Sequence, residues 1–396
     1  MAGAVLALSA SANAGIVIPA GDWTLDVSGN VNSFMSNVKT DGTAAITGGI
    51  VDSSAALNNK SVNSIGTGLL PNFLSIGGST RQNDVDVAFA ISIQPGGDTG
   101  TANSVGSQNN RQAYLTFGDK SWGSIKLGKD LGIFASDAIL NDMTLLGMGA
   151  GAGLGNASYG RIGTGFQYAD WKSQVAYTTP NMGGFQATVG ATQNWDVTAS
   201  TSTGTATSAS SGAAGRPASP AFEGKASYSF ANDQVTGKVW VSGISQKVTL
   251  ASVRAIDTTA YMGDIGVNLN VAGVGLTAYG YAGQGLGTTF QFLNGYTATG
   301  LARDSSGGYV QATYVLPTKT KVGVSWGEST LDTNGTVDAN ANTGLVKSNE
   351  MTTVGAYHPL TKHLNLVAEY SHIKSEAQSG VSNKADSISL GGILFY

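Results

Sequence analysis

The feature that most limits what this chain can fold into is a two-residue alternation that recurs along its length. In residues 23–32, Trp23, Leu25, Val27, Gly29 and Val31 are apolar or small, while Thr24, Asp26, Ser28, Asn30 and Asn32 are polar. Residues 84–94 repeat it, with Val85, Val87, Phe89, Ile91 and Ile93 on one face and Asp84, Asp86, Ser92 and Gln94 on the other. The same pattern marks segments around Ile125–Leu127, Phe185–Val189, Ile265–Leu269, Val310–Leu316, Val322–Trp326 and Leu364–Tyr370. Side chains alternate between the two faces of a strand, so a period of two reads as strand with one apolar and one polar face. Local pattern cannot say whether the apolar face looks toward a core or toward lipid.

The connections decide it. Short links rich in turn residues fall near Gly118–Ser121, Pro180–Gly184, Ala231–Gln234, Val271–Val274, Pro317–Lys319 and Pro359–Lys362. Long links fall at about 37–70, 95–110, 130–170, 194–221, 249–258, 284–307, 331–348 and 375–384. Short and long alternate, as in transmembrane barrels with tight turns at one end and long loops at the other. The expectation is an all-β antiparallel barrel of about sixteen strands and eight long loops, with both termini on the short-turn side. Residues 161–168, which also alternate weakly, are assigned to the returning end of the third loop, because a further strand would make the number odd.

The last strand supports this. Ile388, Leu390, Leu394 and Tyr396 share one parity, and Ser387 and Ser389 lie on the other. A barrel has no free edge, so this strand must pair with the first, which gives Phe395 and Tyr396 a role in closure and assembly. Composition agrees: 56 glycines, 8 prolines and only 12% charged residues, with a mean hydropathy of +0.01. No run of about eighteen apolar residues is present to make a membrane helix. The absence of cysteine removes disulfides and thiolate metal sites, and a net charge of -4 makes no case for nucleic acid.

Residues 1–14 read as a signal peptide. Ala2–Ala10 is apolar, and Ala12-Asn13-Ala14 has the small-x-small form of a cleavage site, which places the cut before Gly15. The usual basic n-region is missing, as expected of a start that has lost upstream residues. Residues 15–396 then form one barrel domain.

Several stretches resemble the Gram-negative general porins. Arg111–Gly118 followed by Trp122–Lys129 is similar to the hairpin that precedes the third loop in that family. Val175–Pro180 followed by Gly183-Gly184-Phe185 resembles the hairpin after it, and Tyr314–Thr320 and Tyr357–His363 resemble the family's periplasmic turns. The aromatic terminus is also a family trait. Lys129 departs from a common Arg, Pro317 and Pro359-Leu360 replace a usual Leu-Ser, and the third loop is rich in Gly and Met.

The resemblance implies an outer-membrane homotrimer, inserted by the barrel-assembly machinery, that passes ions and small hydrophilic solutes by diffusion. It also implies a third loop folded into the lumen, with acidic loop residues opposite basic wall residues. Here the acids are Asp130, Asp137 and Asp142, with Asn141 as a polar neighbour. The bases are Lys126, inward by parity, with Arg111, Lys129 and Arg161. A transverse field between such groups orients dipolar solutes and favours one ion sign. An alternative for Asp137 is an N-cap of a short helix, since Ala-Ile-Leu follows it.

Other constellations read as incidental. Gly323-Val324-Ser325-Trp326-Gly327 matches a nucleophile pattern but lies inside a strand, where the required elbow is missing. Gly147–Gly155 is followed by no helix N-terminus that could hold a phosphate. His358, His363 and His372 cluster around the last turn as wall or interface residues. The reading is a channel without cofactor, metal or chemical step. Two rivals are a solute-selective channel, which would show a ladder of inward aromatics where only Tyr114 stands out, and a barrel that merely anchors a surface structure, which would need a passenger domain. The Ser/Thr/Gly/Ala-rich run 199–214 is expected to be mobile.

Overall fold

The computed structural model describes residues 15–51, 58–95, 108–152, 158–195, 198–200, 206–208, 219–250, 256–289, 293–297, 300–335, 338 and 343–396. Residues 1–14, read from the sequence as a signal peptide, and most of the run 199–214 lie outside them.

Sixteen strands form the wall: β1 (Trp23–Asp41), β2 (Phe73–Gln82), β3 (Val85–Pro95), β4 (Gln108–Asp119), β5 (Gly123–Leu131), β6 (Trp171–Thr178), β7 (Phe185–Thr192), β8 (Ala221–Ala231), β9 (Val235–Leu250), β10 (Ile256–Val271), β11 (Val274–Gln284), β12 (Asp304–Val315), β13 (Lys321–Leu331), β14 (Val346–Pro359), β15 (Leu364–Ala377) and β16 (Ser382–Phe395). Each pairs antiparallel with the next. The circle closes where β16 pairs with β1, in a register running from Asn30↔Phe395 to Asp41↔Lys384. Beyond the last ladder pair, Gly29 and Tyr396 exchange two backbone hydrogen bonds of 2.8 and 3.1 Å. The short strand Ile16–Ala20 continues the line of β16 along the lower half of β1. A closed sheet leaves no row of unpaired amides in lipid, which is why this topology can span a membrane.

Side-chain direction confirms the outward-apolar reading. On β16, Ile388 and Leu390 are more than half exposed while Ser387 and Ser389 are 2% exposed. Val31, Ile76, Leu115, Val175, Ile265, Val310 and Val354 continue the outward band. The buried face carries Ser325, Thr353, Ser371 and Ser375. A water-soluble sandwich would have these environments reversed.

The tight turns sit at one end. Between β2 and β3, Asn83 and Asp84 both take left-handed backbone (φ 50° and 62°), the two-residue hairpin geometry that matches strand twist. At the other end the first long link differs from expectation. The strand runs on to Asp41, and Ser61–Gly66 pairs back onto the upper half of β1. Residues 67–72 then turn inward, and Leu69 donates its amide to the Gly147 carbonyl at 2.8 Å. Residues 161–168 belong to no wall strand, as expected, and the motif at Gly323–Gly327 lies mid-strand in β13 with Ser325 buried.

Candidate functional site

The third loop, residues 132–170, leaves β5, crosses the lumen and returns to β6. It holds helix α1 (Ser136–Leu140), a 3-10 turn (Met143–Leu146) and two short strands, Ala150–Ala152 and Ser158–Gly160. Its apolar side chains fasten it on two sides. Phe134, Ala138, Ile139 and Phe166 pack against inward residues of β9–β12, Trp240, Ile244, Tyr279 and Tyr309 among them. Met143 and Met148 pack against Phe34, Tyr357, Val367, Ile393 and Phe395 across the barrel. These contacts explain why the loop lies inside: its Gly- and Met-rich sequence buries apolar surface only against the wall. Phe395 is therefore an inward residue that supports the loop, while Tyr396 has the outward parity.

Two buried wall carboxylates pin the loop backbone. Glu223 on β8 accepts the amides of Ile133 and Phe134, both at 2.8 Å. Glu369 on β15 accepts those of Met148 and Gly149, both at 2.8 Å, and the Tyr357 hydroxyl at 2.6 Å. Between them, Gln311 on β12 accepts the Met143 amide at 2.9 Å and donates to the Asn141 carbonyl at 2.7 Å. Tyr309 donates its hydroxyl to the Ala138 carbonyl at 2.8 Å.

Asp137 lies in the first turn of α1 and caps nothing, since the residue at the cap position is Ala135, in left-handed backbone (φ 60°). Its carboxylate instead sits between two wall ammoniums, Lys225 of β8 at 3.1 Å and Lys238 of β9 in closer contact. Burial alone would push the Asp137 carboxyl up, but the two lysines reverse this and hold it below its ordinary value. Asp142 is the residue that caps, accepting the Thr144 amide at 3.1 Å ahead of the 3-10 turn.

The remaining predicted groups separate into three kinds. Lys126 is inward, as parity required, but its partner is Asp130, four residues on along the same wall strand. Asp130 is thus a wall residue of β5, also bonded to Gln112 at 2.9 Å, not a loop acid facing across the lumen. Arg161 and Asp142 form a fully buried pair 3.7 Å apart. Burial pushes the Asp142 carboxyl up and the Arg161 guanidinium down, against their mutual attraction. Arg161 also donates to the Met351 carbonyl at 3.0 Å and lies over the Tyr309 ring. With both side chains fully buried, the Arg161–Asp142 pair is shielded from permeating ions. Arg111 and Lys129 have the parity of the outward residues Leu115 and Leu127, and Arg111 lies 5.8 Å over the Trp171 ring. They do not face the loop.

The basic residues that meet the loop, Lys225 and Lys238, were legible by the same parity rule that gave Lys126, since Phe222 and Val239 fix the outward phase of their strands. Tyr114 is one of several inward aromatics. Trp240, Tyr279, Tyr281, Tyr309 and Tyr357 all point inward, but each is under 8% exposed beneath the loop, not open to the lumen. Among the described histidines, His358 bonds Thr320 at 3.0 Å and His372 pairs with Asp386 at 2.8 Å, both at the barrel wall.

Comparison with known proteins agrees with this architecture. A family model described as Gram-negative porin matches residues 2–378. The outer membrane channel DcaP of Acinetobacter baumannii superposes with a TM-score of 0.69 at 19% identity, covering 97% of this chain and 100% of that one. OmpF of Salmonella typhi gives 0.59 at 14% identity, over 96% and 100%. OmpT of Vibrio cholerae in its trimer form gives 0.54 at 13% identity, over 94% and 99%. No curated protein sequence matches. A closed barrel of sixteen strands, lipid-facing outside and crossed by its third loop, together with a family match over nearly the whole chain, shows that this chain belongs to the Gram-negative porins, outer-membrane channels for small solutes.

Proposed function

We propose that the chain is a passive diffusion pore whose aperture is set by the third loop and whose accessible charge at that level is basic. One observation carries the reading. The side chains of Lys126, Lys225 and Lys238 keep 26, 26 and 32% of their surface exposed, while their partners Asp130 and Asp137 keep 2 and 5%. Glu223, Asp142 and Glu369 are themselves buried, each only 4% exposed. A solute at the aperture meets three ammoniums and two partly shielded carboxylates, so small anions are favoured over cations of equal size. Nothing in this mechanism requires a chemical step. Size exclusion and the local field suffice.

The mature pore in this reading begins at Gly15, assembles as a homotrimer, as the trimer form of its Vibrio cholerae structural neighbour supports, and depends on Tyr396 for insertion. Planar-bilayer recordings with the purified protein under a salt gradient test it. Stepwise ion conductance with a reversal potential of the anion-preferring sign is the expected result. Preference for cations would overturn the basic aperture, and absence of conductance would overturn the pore.

A further inference from the structure

Glu223 does more than accept two loop amides. Its second oxygen accepts the Thr192 hydroxyl at 2.8 Å and pairs with the Lys172 ammonium of β6. Lys172, itself 3% exposed, lies 3.5 Å over the ring of Trp195 at the root of the fourth loop. The Trp195 backbone is in turn held by Gln246 of β9, which accepts its amide at 3.2 Å and donates to its carbonyl at 2.9 Å. One buried ion pair therefore joins three wall strands and the roots of two loops.

Its position relative to the aperture gives it a consequence. Glu223 and Lys225 stand two residues apart on the inward face of β8. Glu223 fixes Ile133 and Phe134, immediately before the left-handed residue Ala135 that starts α1. Lys225 takes Asp137 and the Ser136 hydroxyl of that same helix at 3.1 and 3.0 Å. The direction in which α1 leaves Ala135 decides whether Asp137 reaches both lysines. A carboxylate that accepts two consecutive amides sets that direction firmly, because charge-assisted bonds in a water-poor site are short and strong.

We propose that Glu223, backed by Lys172 and Trp195, is a positioning residue for permeation. It holds the start of the third loop so that Asp137 stays between Lys225 and Lys238, and it links the root of the fourth loop to the aperture. This rests on the reading of the third loop as the constriction.

The test uses the full-length pore reconstituted in planar bilayers, with Glu223→Gln and Lys172→Met combined. That pair leaves net charge unchanged, so any effect on ion preference comes from loop position. The expected result is several conductance levels in place of one, and a reversal potential moved toward stronger anion preference as Asp137 withdraws from its lysines. Asp137→Asn alone should move it the same way, and adding it to the double variant should shift it no further, the non-additivity expected of residues acting through one contact. If the double variant fails to assemble, Trp195→Leu, which removes only the outer face of the Lys172 site, carries the same expectation in weaker form. An unchanged single conductance level, or shifts that simply add to that of Asp137→Asn, would overturn the proposal. If Asp137→Asn alone has no effect, it is the constriction reading that fails.

Discussion

Replacing Lys238 by Gln removes the most exposed of the three aperture lysines and should weaken anion preference by an amount that can be bounded. A unit charge acting on a monovalent ion 4 Å away in a water-like medium is worth about 1 kcal/mol, and at twice that distance about 0.5 kcal/mol. The anion loses that attraction and the cation loses an equal repulsion, so their difference changes by about 1 kcal/mol at the larger distance. This corresponds to roughly a fivefold change in relative permeability, since about 1.4 kcal/mol is tenfold. Removing Lys238 also leaves Asp137 held by Lys225 alone, which adds to the change in the same direction. The assay is the reversal potential across a bilayer under a salt gradient, compared between wild type and variant at two ionic strengths. The Debye length falls from about 30 Å at 0.01 M to about 3 Å at 1 M, so the difference should shrink in concentrated salt. A variant that keeps the wild-type reversal potential in dilute salt would refute the placement of Lys238 at the aperture. A shift that persists undiminished in concentrated salt would refute its electrostatic origin.

Three further outcomes follow from particular contacts. Deleting Tyr396 removes both backbone hydrogen bonds to Gly29 beyond the last ladder pair, and the amount of heat-modifiable trimer recovered from outer membranes should fall; undiminished yield would remove its role in assembly. Mass spectrometry of that same material should give Gly15 as the first residue, and a chain retaining Met1 would contradict the cleavage site. Because Asp137 is held below its ordinary carboxylate value, its ion pairs are stabilising above the unfolded value near pH 3.9 and are lost only as pH falls through the lower folded value. The Asp137-dependent part of the reversal potential, read as wild type minus Asp137→Asn, should therefore stay flat between about pH 7 and 4, and a step in that range would place the carboxylate away from its lysines.

Alternation, turn residues and loop lengths are local properties, and they carried the architecture: sixteen strands, the closure of β16 on β1, and the assignment of 161–168 to the third loop. Parity also placed Lys126 inward, and applied evenly it would have placed Lys225 and Lys238 inward and Arg111 and Lys129 outward. What no local pattern holds is the path of the third loop across the lumen. That path depends on contacts between residues far apart in sequence: Phe134 with Trp240 and Tyr309, Met148 with Phe395, and the amides of 133–134 and 148–149 with Glu223 and Glu369. These contacts bury Arg161 with Asp142 and bring Asp137 between two lysines, while Asp130, still on the wall strand, pairs with Lys126 of that same strand. Period two tells each strand residue which side of the sheet it occupies. Only the closed tertiary structure determines which inward residues meet, because that depends on how the barrel curves and on where a loop without a period of its own finds apolar surface and hydrogen-bond partners.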